Sequence, residues 1–484
     1  MGVLDKLEPK KVFGFFEDIC GIPHGSYNLE KIREYLISFA KERNLEYIAD
    51  DFGNVIIKKD AYPGYEKEAG IILQGHMDMV AVCEEGSGID MKVTAPDIFI
   101  DGDKIGAKKT SLGGDDGIAV AMILSILDSD DIPHPHLEAV ITANEETGME
   151  GAAGMDMSLL SGESLINLDS EDEGIIIAGC AGGARVKCTL PAYSEDPADM
   201  IFLNVSINGL QGGHSGQMIG TGRGNANILL GRILSKASRT VNKGFLVNAE
   251  GGSADNAIPS CSSAIIAVSA LDVQKFTEEA KKEADCIFME LGDKDPGFCF
   301  TVSDADKKDL TSAHSIDLKK ASAFIYSFPY GVISMCSKPE GLVETSLNMG
   351  ILKQDENGLT AEFSVRSSLN SARDALIMKL EDITSGFGGT SLVSGIYPGW
   401  KYRVDSPLRE KMIRIFKEMY SNEPKVEAIH AGLECGFFVS KNEKLDAVSI
   451  GPDMQDIHSP SERLSISSTA RTYEYLLKIL AATK

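Results

Sequence analysis

Long apolar runs are missing from this chain. Nowhere do eighteen consecutive apolar residues occur, so no membrane-spanning helix is expected. The opening residues, MGVLDKLEPKKVF, lack a basic segment followed by an apolar one, so no secretory leader is expected. Met1-Gly2 would suit myristoylation, but Lys6 stands where that signal needs Ser or Thr. Positive charge is scarce: 47 Lys and Arg face 72 Asp and Glu, a formal net charge of -25. That balance argues against a nucleic-acid partner, because phosphate contacts need clustered Lys and Arg. The nine cysteines contain no CxxC pair, which fits reduced thiols in a cytoplasm better than a disulfide framework. No GxSxG elbow occurs, which disfavours a serine hydrolase.

What is present is a chain of 484 residues, too long for a single core. Pro9 to Cys20 and Leu29 to Arg43 read as amphipathic helices. Short apolar runs then recur at 70–73, 137–141 and 164–168, with a helical pattern at 117–127 between the first two. Strands alternating with helices predict βαβ units and a mixed, mainly parallel, buried sheet. From about Arg185 the pattern changes to strands at 185–190, 201–207, 264–271, 343–349 and 359–365. Helices at 225–239, 273–291, 321–328 and 371–385 interleave with them. This predicts an α+β, ferredoxin-like domain whose two rounds of elements suggest a doubled unit, although no sequence repeat stands out. From about Ser394 the α/β pattern returns, with helices at 408–420 and 467–482 and strands at 425–429 and 447–450. The predicted organisation is therefore an α/β domain, 1–184 and 395–484, carrying an inserted α+β domain, 185–394.

His and carboxylates gather where predicted strands end. The first run leads into Gly75-His76-Met77-Asp78, and Gly113-Gly114-Asp115-Asp116-Gly117 precedes a helix. The run at 137–141 leads into Asn144-Glu145-Glu146-Thr147-Gly148, and that at 164–168 into Asp169. The run at 447–450 leads into Gly451-Pro452-Asp453 and then His458. In open α/β sheets that edge is where sites are built. If the ends converge, the carboxylates repel one another and lose hydration unless cations join them. Imidazole with carboxylate suits zinc and tolerates manganese or cobalt. Two ions need a bridging carboxylate, for which Asp115 at a Gly-flanked helix start is well placed. Asp116 reads as a helix N-cap, and His134 and His136 as ordinary loop residues. Gly220-Thr221-Gly222-Arg223-Gly224 fails as a nucleotide loop because Asn225 breaks GxGxxG.

In order and approximate spacing, these motifs resemble the M20 metallopeptidases over nearly the whole chain. The resemblance implies a catalytic domain with an inserted lid, and two divalent ions, zinc first. His76, Asp115 and Asp169 would hold one ion, and Glu146, Asp115 and His458 the other. Glu145 would be the general base and Asp78 the residue orienting His76. In Gly212-Gly213-His214-Ser215-Gly216, His214 would be a lid donor to the oxyanion. Asn256 and Arg366 would hold the substrate's C-terminal carboxylate. Many M20 members carry Lys where this chain has Gly117. There, and in Ile429-His430-Ala431-Gly432-Leu433-Glu434-Cys435-Gly436, the chain resembles the Xaa-His dipeptidases. His430 and Glu434 are accordingly candidate substrate contacts, with Glu434 or Asp453 as partners for a substrate imidazole. The implied activity is hydrolysis of short dipeptides, Xaa-His and β-alanyl-histidine among them. The rival readings are an N-acyl amino-acid deacylase, a tripeptidase, or a non-catalytic metal-binding scaffold. Homodimer and monomer both stay open, since a doubled lid could imitate a dimer within one chain.

Overall fold

A computed structural model describes residues 2–192, 197, 199–305, 315–338 and 340–482. It divides the chain into two compact units: 1–180 with 400–429 and 433–484, and 181–399 with 430–432.

The first unit is built on an eight-stranded sheet. Its order is Glu46–Ala49, Val55–Lys59, Leu137–Thr142, Ile71–His76, Ser164–Asn167, Asp446–Ser449, Ile175–Cys180, Lys425–Ile429. The four central strands, from Leu137–Thr142 to Asp446–Ser449, run parallel. Every residue of Ile71–His76 and Leu137–Thr142 is buried, which explains why Ile71–Leu73 and Ala139–Ile141 are apolar without a break; the buried Glu138 accepts the backbone N–H groups of Ser161 and Gly162. The Gly114–Leu127 helix is buried along its whole length. It packs against the Lys10–Cys20 helix, whose Phe16 and Ile19 crowd Gly117: a Cβ there would lie 3.4 Å from each. A Cβ would just be in contact there, and a longer side chain would press into the Phe16 and Ile19 packing. A small four-stranded sheet (Met454–Gln455, Arg463–Ser465, Lys104–Ala107, Ile98–Asp101) completes the unit.

The second unit is a ten-stranded sheet. Its main path runs Cys299–Asp304, Ile201–Asn208, Ser262–Val268, Gly244–Gly251, Val343–Asp355, Gly358–Ser367, Gly182–Leu190, Thr390–Tyr397. In chain order its first four path strands, with helices Ala226–Ser238 and Val273–Leu291, read β-α-β-β-α-β in spatial order 4-1-3-2. The other four, with helices Leu318–Ser327 and Asn370–Gly386, read the same way. The unit is thus a doubled ferredoxin-like fold. One copy is inserted between the first strand and first helix of the other, which hides the repeat in the sequence. The strands Gly182–Leu190 and Thr390–Tyr397 pair with one another. The unit therefore starts at residue 181, ahead of the expected 185, and runs on to 399. Residues 430–432 also belong with it, although they were expected in the α/β part.

Candidate metal centre

The three strands Ile71–His76, Leu137–Thr142 and Ser164–Asn167 deliver His76, Glu145-Glu146 and Asp169 at adjacent carboxyl ends. Gly75 permits this crowding, since a Cβ there would lie 2.6 Å from Asp116 Oδ2. Asp115 stands between two imidazoles: its Oδ1 is 3.0 Å from His76 Nε2, and its Oδ2 is 3.1 Å from His458 Nε2. Asp169 Oδ1 lies 3.6 Å from His76 Nε2. Glu146 Oε2 lies 3.0 Å from His458 Nε2. Among the described residues, ligating atoms within 4.8 Å of one another form three groups: His76-Asp116-Asp169, His76-Glu145-Glu146 and Asp115-Glu146-His458.

Several placements differ from the sequence reading. His458 does not follow directly from the Asp446–Ser449 strand. It lies in the hairpin between Met454–Gln455 and Arg463–Ser465, with a left-handed backbone, φ 58°. Two-residue strands leave no periodic signature to find. Asp116 is no helix cap, for the Gly114–Leu127 helix has no side-chain cap. Instead Asp116 is fully buried; one oxygen accepts the His76 N–H at 3.1 Å and the other has no partner among the described residues. Asp78 meets the His76 ring mainly through its carbonyl, 3.0 Å from Nδ1, with its carboxylate at 3.6 Å. That carboxylate also accepts the backbone N–H groups of Glu145 (2.9 Å) and Glu146 (3.3 Å) and the Ser26 hydroxyl (2.8 Å). It therefore anchors the loop carrying both glutamates.

Glu434 is wholly buried, with Oε2 accepting Thr142 Oγ1 at 2.6 Å and the Gln74 amide. Asn167 donates to Gln74 at 2.7 Å, so Glu434 closes a polar network across three parallel strands. Asp453 accepts the Glu173 N–H at 2.7 Å. A residue the sequence reading passed over is Glu462, 2 % exposed, which faces the backbone of Leu112–Asp115. Its one sequence cue is its position four residues after His458.

The charges of this cluster call for cations. Burial opposes protonation of His76, but Asp169, Asp115 and Asp78 outweigh it and hold the ring well above the usual imidazole range. Hydrogen bonds to Asp115 and Glu146 lift His458 to about 10. Burial, with Asp115 and Glu146 adding and His76 opposing, lifts Asp169 to about 6. Burial and the neighbouring acids Asp169, Glu434 and Glu146, against His76, push Glu145 well above the carboxylate range. Burial, then Asp169, does the same to Asp116. Burial pushes Glu434 up to about 8. The carboxylates thus favour positive charge at His76 and His458, and one buried carboxylate oxygen of Asp116 has no partner among the described residues. Two imidazoles among carboxylates are a donor set for zinc or a similar divalent ion. The residues present fit two such ions.

In the second unit, His214 lies on the short Gly213–His214 strand paired with Ala257–Ile258. Its Nδ1 is buried without a hydrogen-bond partner among the described residues. Ser215 donates its N–H to the Asn256 carbonyl at 2.8 Å, and Asn256 itself is exposed. Arg366, 8 % exposed, bonds Tyr397 OH at 3.3 Å and has no carboxylate partner among the described residues. His430 Nε2 meets Ser346 Oγ at 2.7 Å. Burial and the Arg366 charge lower His430 to about 4 and lower His214 as well. Both rings are thus biased toward the neutral form by burial and by the Arg366 guanidinium.

The family model for peptidase family M20/M25/M40 matches residues 72–482. The chain is 34 % identical over 482 residues to the cytosol non-specific dipeptidase of Escherichia coli (strain K12), covering 99 % of each. It superposes on the crystal structure of aminoacylhistidine dipeptidase from Vibrio alginolyticus with a TM-score of 0.93 at 35 % identity, covering 99 % of this chain and 98 % of that one. Aminopeptidase PepT from Bacillus cereus ATCC 10987 shares the fold, with a TM-score of 0.53 and 16 % identity over 98 % of both chains.

Proposed function

The chain belongs to peptidase family M20/M25/M40, and from that footing we propose that it is a dinuclear metal-dependent dipeptidase, with Xaa-His among its substrates. The observation that carries this reading is the Asp115 carboxylate, with one oxygen facing His76 and the other facing His458. We assign His76, Asp115 and Asp169 to one ion and Asp115, Glu146 and His458 to the other. Asp115 is preferred over Asp116 as the bridge because Asp116 spends one oxygen on the His76 N–H. Bound there, the ions would acidify a water and polarise the scissile carbonyl.

The chain's own groups supply the proton chemistry. Glu145 takes a proton from the attacking water and returns it to the leaving amine. Burial and the neighbouring acids raise its pKa, the direction that favours a carboxylate able to take up a proton and hand it on. Asp78 holds the Glu145 backbone N–H at 2.9 Å, which fixes where that carboxylate starts from. In the second unit, Arg366 would bind the substrate's C-terminal carboxylate. A buried guanidinium without a carboxylate partner invites one. Neutral His214 would donate to the oxyanion, with Asn256 and His430 as further substrate contacts. Glu434, buried beneath the strand ends, would act through Thr142 and Gln74.

The Escherichia coli relative is named as non-specific and the Vibrio relative as acting on aminoacylhistidine; we propose dipeptide length as the firm selection and histidine as a preference. We further propose zinc as the native metal and the cytoplasm as the working compartment. Among the described residues no helix is long and apolar enough to cross a membrane. The decisive panel is kcat/KM of metal-loaded enzyme on Xaa-His, Xaa-Leu, Xaa-His-Gly and N-acetyl-histidine. Xaa-His should lead. Equal cleavage of Xaa-Leu would remove the histidine preference, and a leading tripeptide or acetylated substrate would overturn the dipeptidase reading.

A further inference from the structure

Glu462 contacts the backbone of the loop that carries the bridging carboxylate. Its Oε2 accepts the N–H groups of Leu112 (2.7 Å) and Gly113 (3.1 Å), and its Oε1 those of Gly114 (2.7 Å) and Asp115 (3.3 Å). Four successive amides can point at one anion only if the chain leaves regular structure. It does so here, with Gly113 at φ 74° and Asp115 and Asp116 outside helical geometry. Such a run of amides is an anion-binding concavity, and the carboxylate filling it is almost wholly buried. Glu462 reaches it from the hairpin of His458. Within that hairpin the Glu462 N–H returns to Ser459 O at 3.1 Å, and Ser459 Oγ donates to Asp456 O at 2.6 Å. Both Asp456 (φ 52°) and His458 (φ 58°) are held in the left-handed region, a cost that persists only where surrounding contacts impose it.

We propose that Glu462 is a positioning residue that ties the His458 hairpin to the Leu112–Asp115 loop. It would thereby fix the ligand set Asp115, Glu146 and His458 for one ion of the pair. This rests on the dinuclear reading above. The ion facing His458 depends on Glu462 twice, through Asp115 and through His458. The ion facing His76 depends on it once, through Asp115 alone. Loss of the tie should therefore separate the two ions.

Glu462→Gln is a sharp probe because it keeps the shape. Each carboxylate oxygen accepts two N–H groups, so either orientation of the amide sets an NH2 group against two donors. Removing a partner that orients metal ligands typically costs about 10–100-fold in metal affinity. The experiment dialyses holoenzyme against zinc buffers of falling free zinc and counts bound zinc per chain by elemental analysis. In E462Q one ion should leave at free zinc roughly 10–100-fold higher than in the wild type, while the other, tied to Glu462 through Asp115 alone, shifts distinctly less. A carboxylate that only stabilised the fold would lower the unfolding midpoint and leave the two release steps unchanged relative to each other. Should E462Q not yield folded protein, E462D keeps the charge but shortens the reach, and the same ordered loss is expected at smaller size. Release of both ions in step, or wild-type retention of both, overturns the proposal. A wild-type protein that never holds two zinc ions overturns the dinuclear reading itself and the tie with it.

Discussion

Exchanging Glu145 for Gln removes a proton carrier and little else. The residue's backbone is held by Asp78 through a 2.9 Å hydrogen bond that the substitution leaves in place. Its carboxylate makes no hydrogen bond to another described residue, so no partner is orphaned. The contacts joining His76, Asp115, Asp169, Glu146 and His458 do not involve it. Metal content should therefore stay at two ions per chain. General acid–base catalysis contributes about 10²–10⁴-fold, which at roughly 1.4 kcal/mol per decade raises the barrier by about 3–5 kcal/mol. The drop should appear in kcat, with KM changed little, because substrate contacts are untouched. Glu146→Gln is the matched control one residue along. It removes a carboxylate oxygen 3.0 Å from His458 Nε2 and should lower metal occupancy first and activity as a consequence. The assay is kcat on an Xaa-His dipeptide beside elemental analysis of the same preparations. Equal metal loss in the two variants, or a kcat within tenfold of wild type for Glu145→Gln, would refute the assigned roles.

Arg366→Met should raise KM for dipeptides by about 10–100-fold, the loss of roughly 1.5–3 kcal/mol expected when a charged hydrogen bond is removed; an unchanged KM would take Arg366 out of substrate binding. The metal-free protein should lose stability as pH rises. Glu434 binds its proton more tightly folded, at about 8 against an ordinary 4.5, so between those values the folded state carries the extra proton and rising pH favours unfolding. Thermal melts of metal-free Glu434→Gln, a neutral stand-in for the protonated acid, should slope less over that window, and an identical slope would contradict the assignment. Gly117→Lys should destabilise the fold by about 1–3 kcal/mol through overpacking, since a Cβ at 117 already lies 3.4 Å from Phe16 and Ile19; denaturant titration would show it, and wild-type stability would contradict the packing argument.

The parallel heart of the first unit is readable because a strand buried on both faces is largely apolar, as 71–73 is, and 137–141 apart from Glu138. The residues after those strands were readable for the same reason, since a strand's carboxyl end points to the next loop. Gly244–Gly251 and Thr390–Tyr397 escaped notice. The first mixes Asn248 and Glu250 into its run, and the second is an exposed edge strand without a clear alternation. The His458 hairpin was hidden because its strands are two and three residues long, set by pairing with Lys104–Ala107 rather than by local preference. Asp115 and Asp116 are chemically identical in the sequence, and only the fold turns one toward two imidazoles and the other toward a backbone N–H. Glu462 sits in a Ser-rich loop with nothing local to separate it from a solvated acid, and the amides it meets lie some 350 residues earlier.

Anomalous diffraction from crystals of the zinc-loaded protein tests the central claim most directly. Two peaks are expected, about 3.5–4 Å apart, one beside His76 and Asp169 and the other beside Glu146 and His458, with Asp115 between them. A single peak, or a pair bridged by Asp116 with Asp115 turned away, would contradict the account.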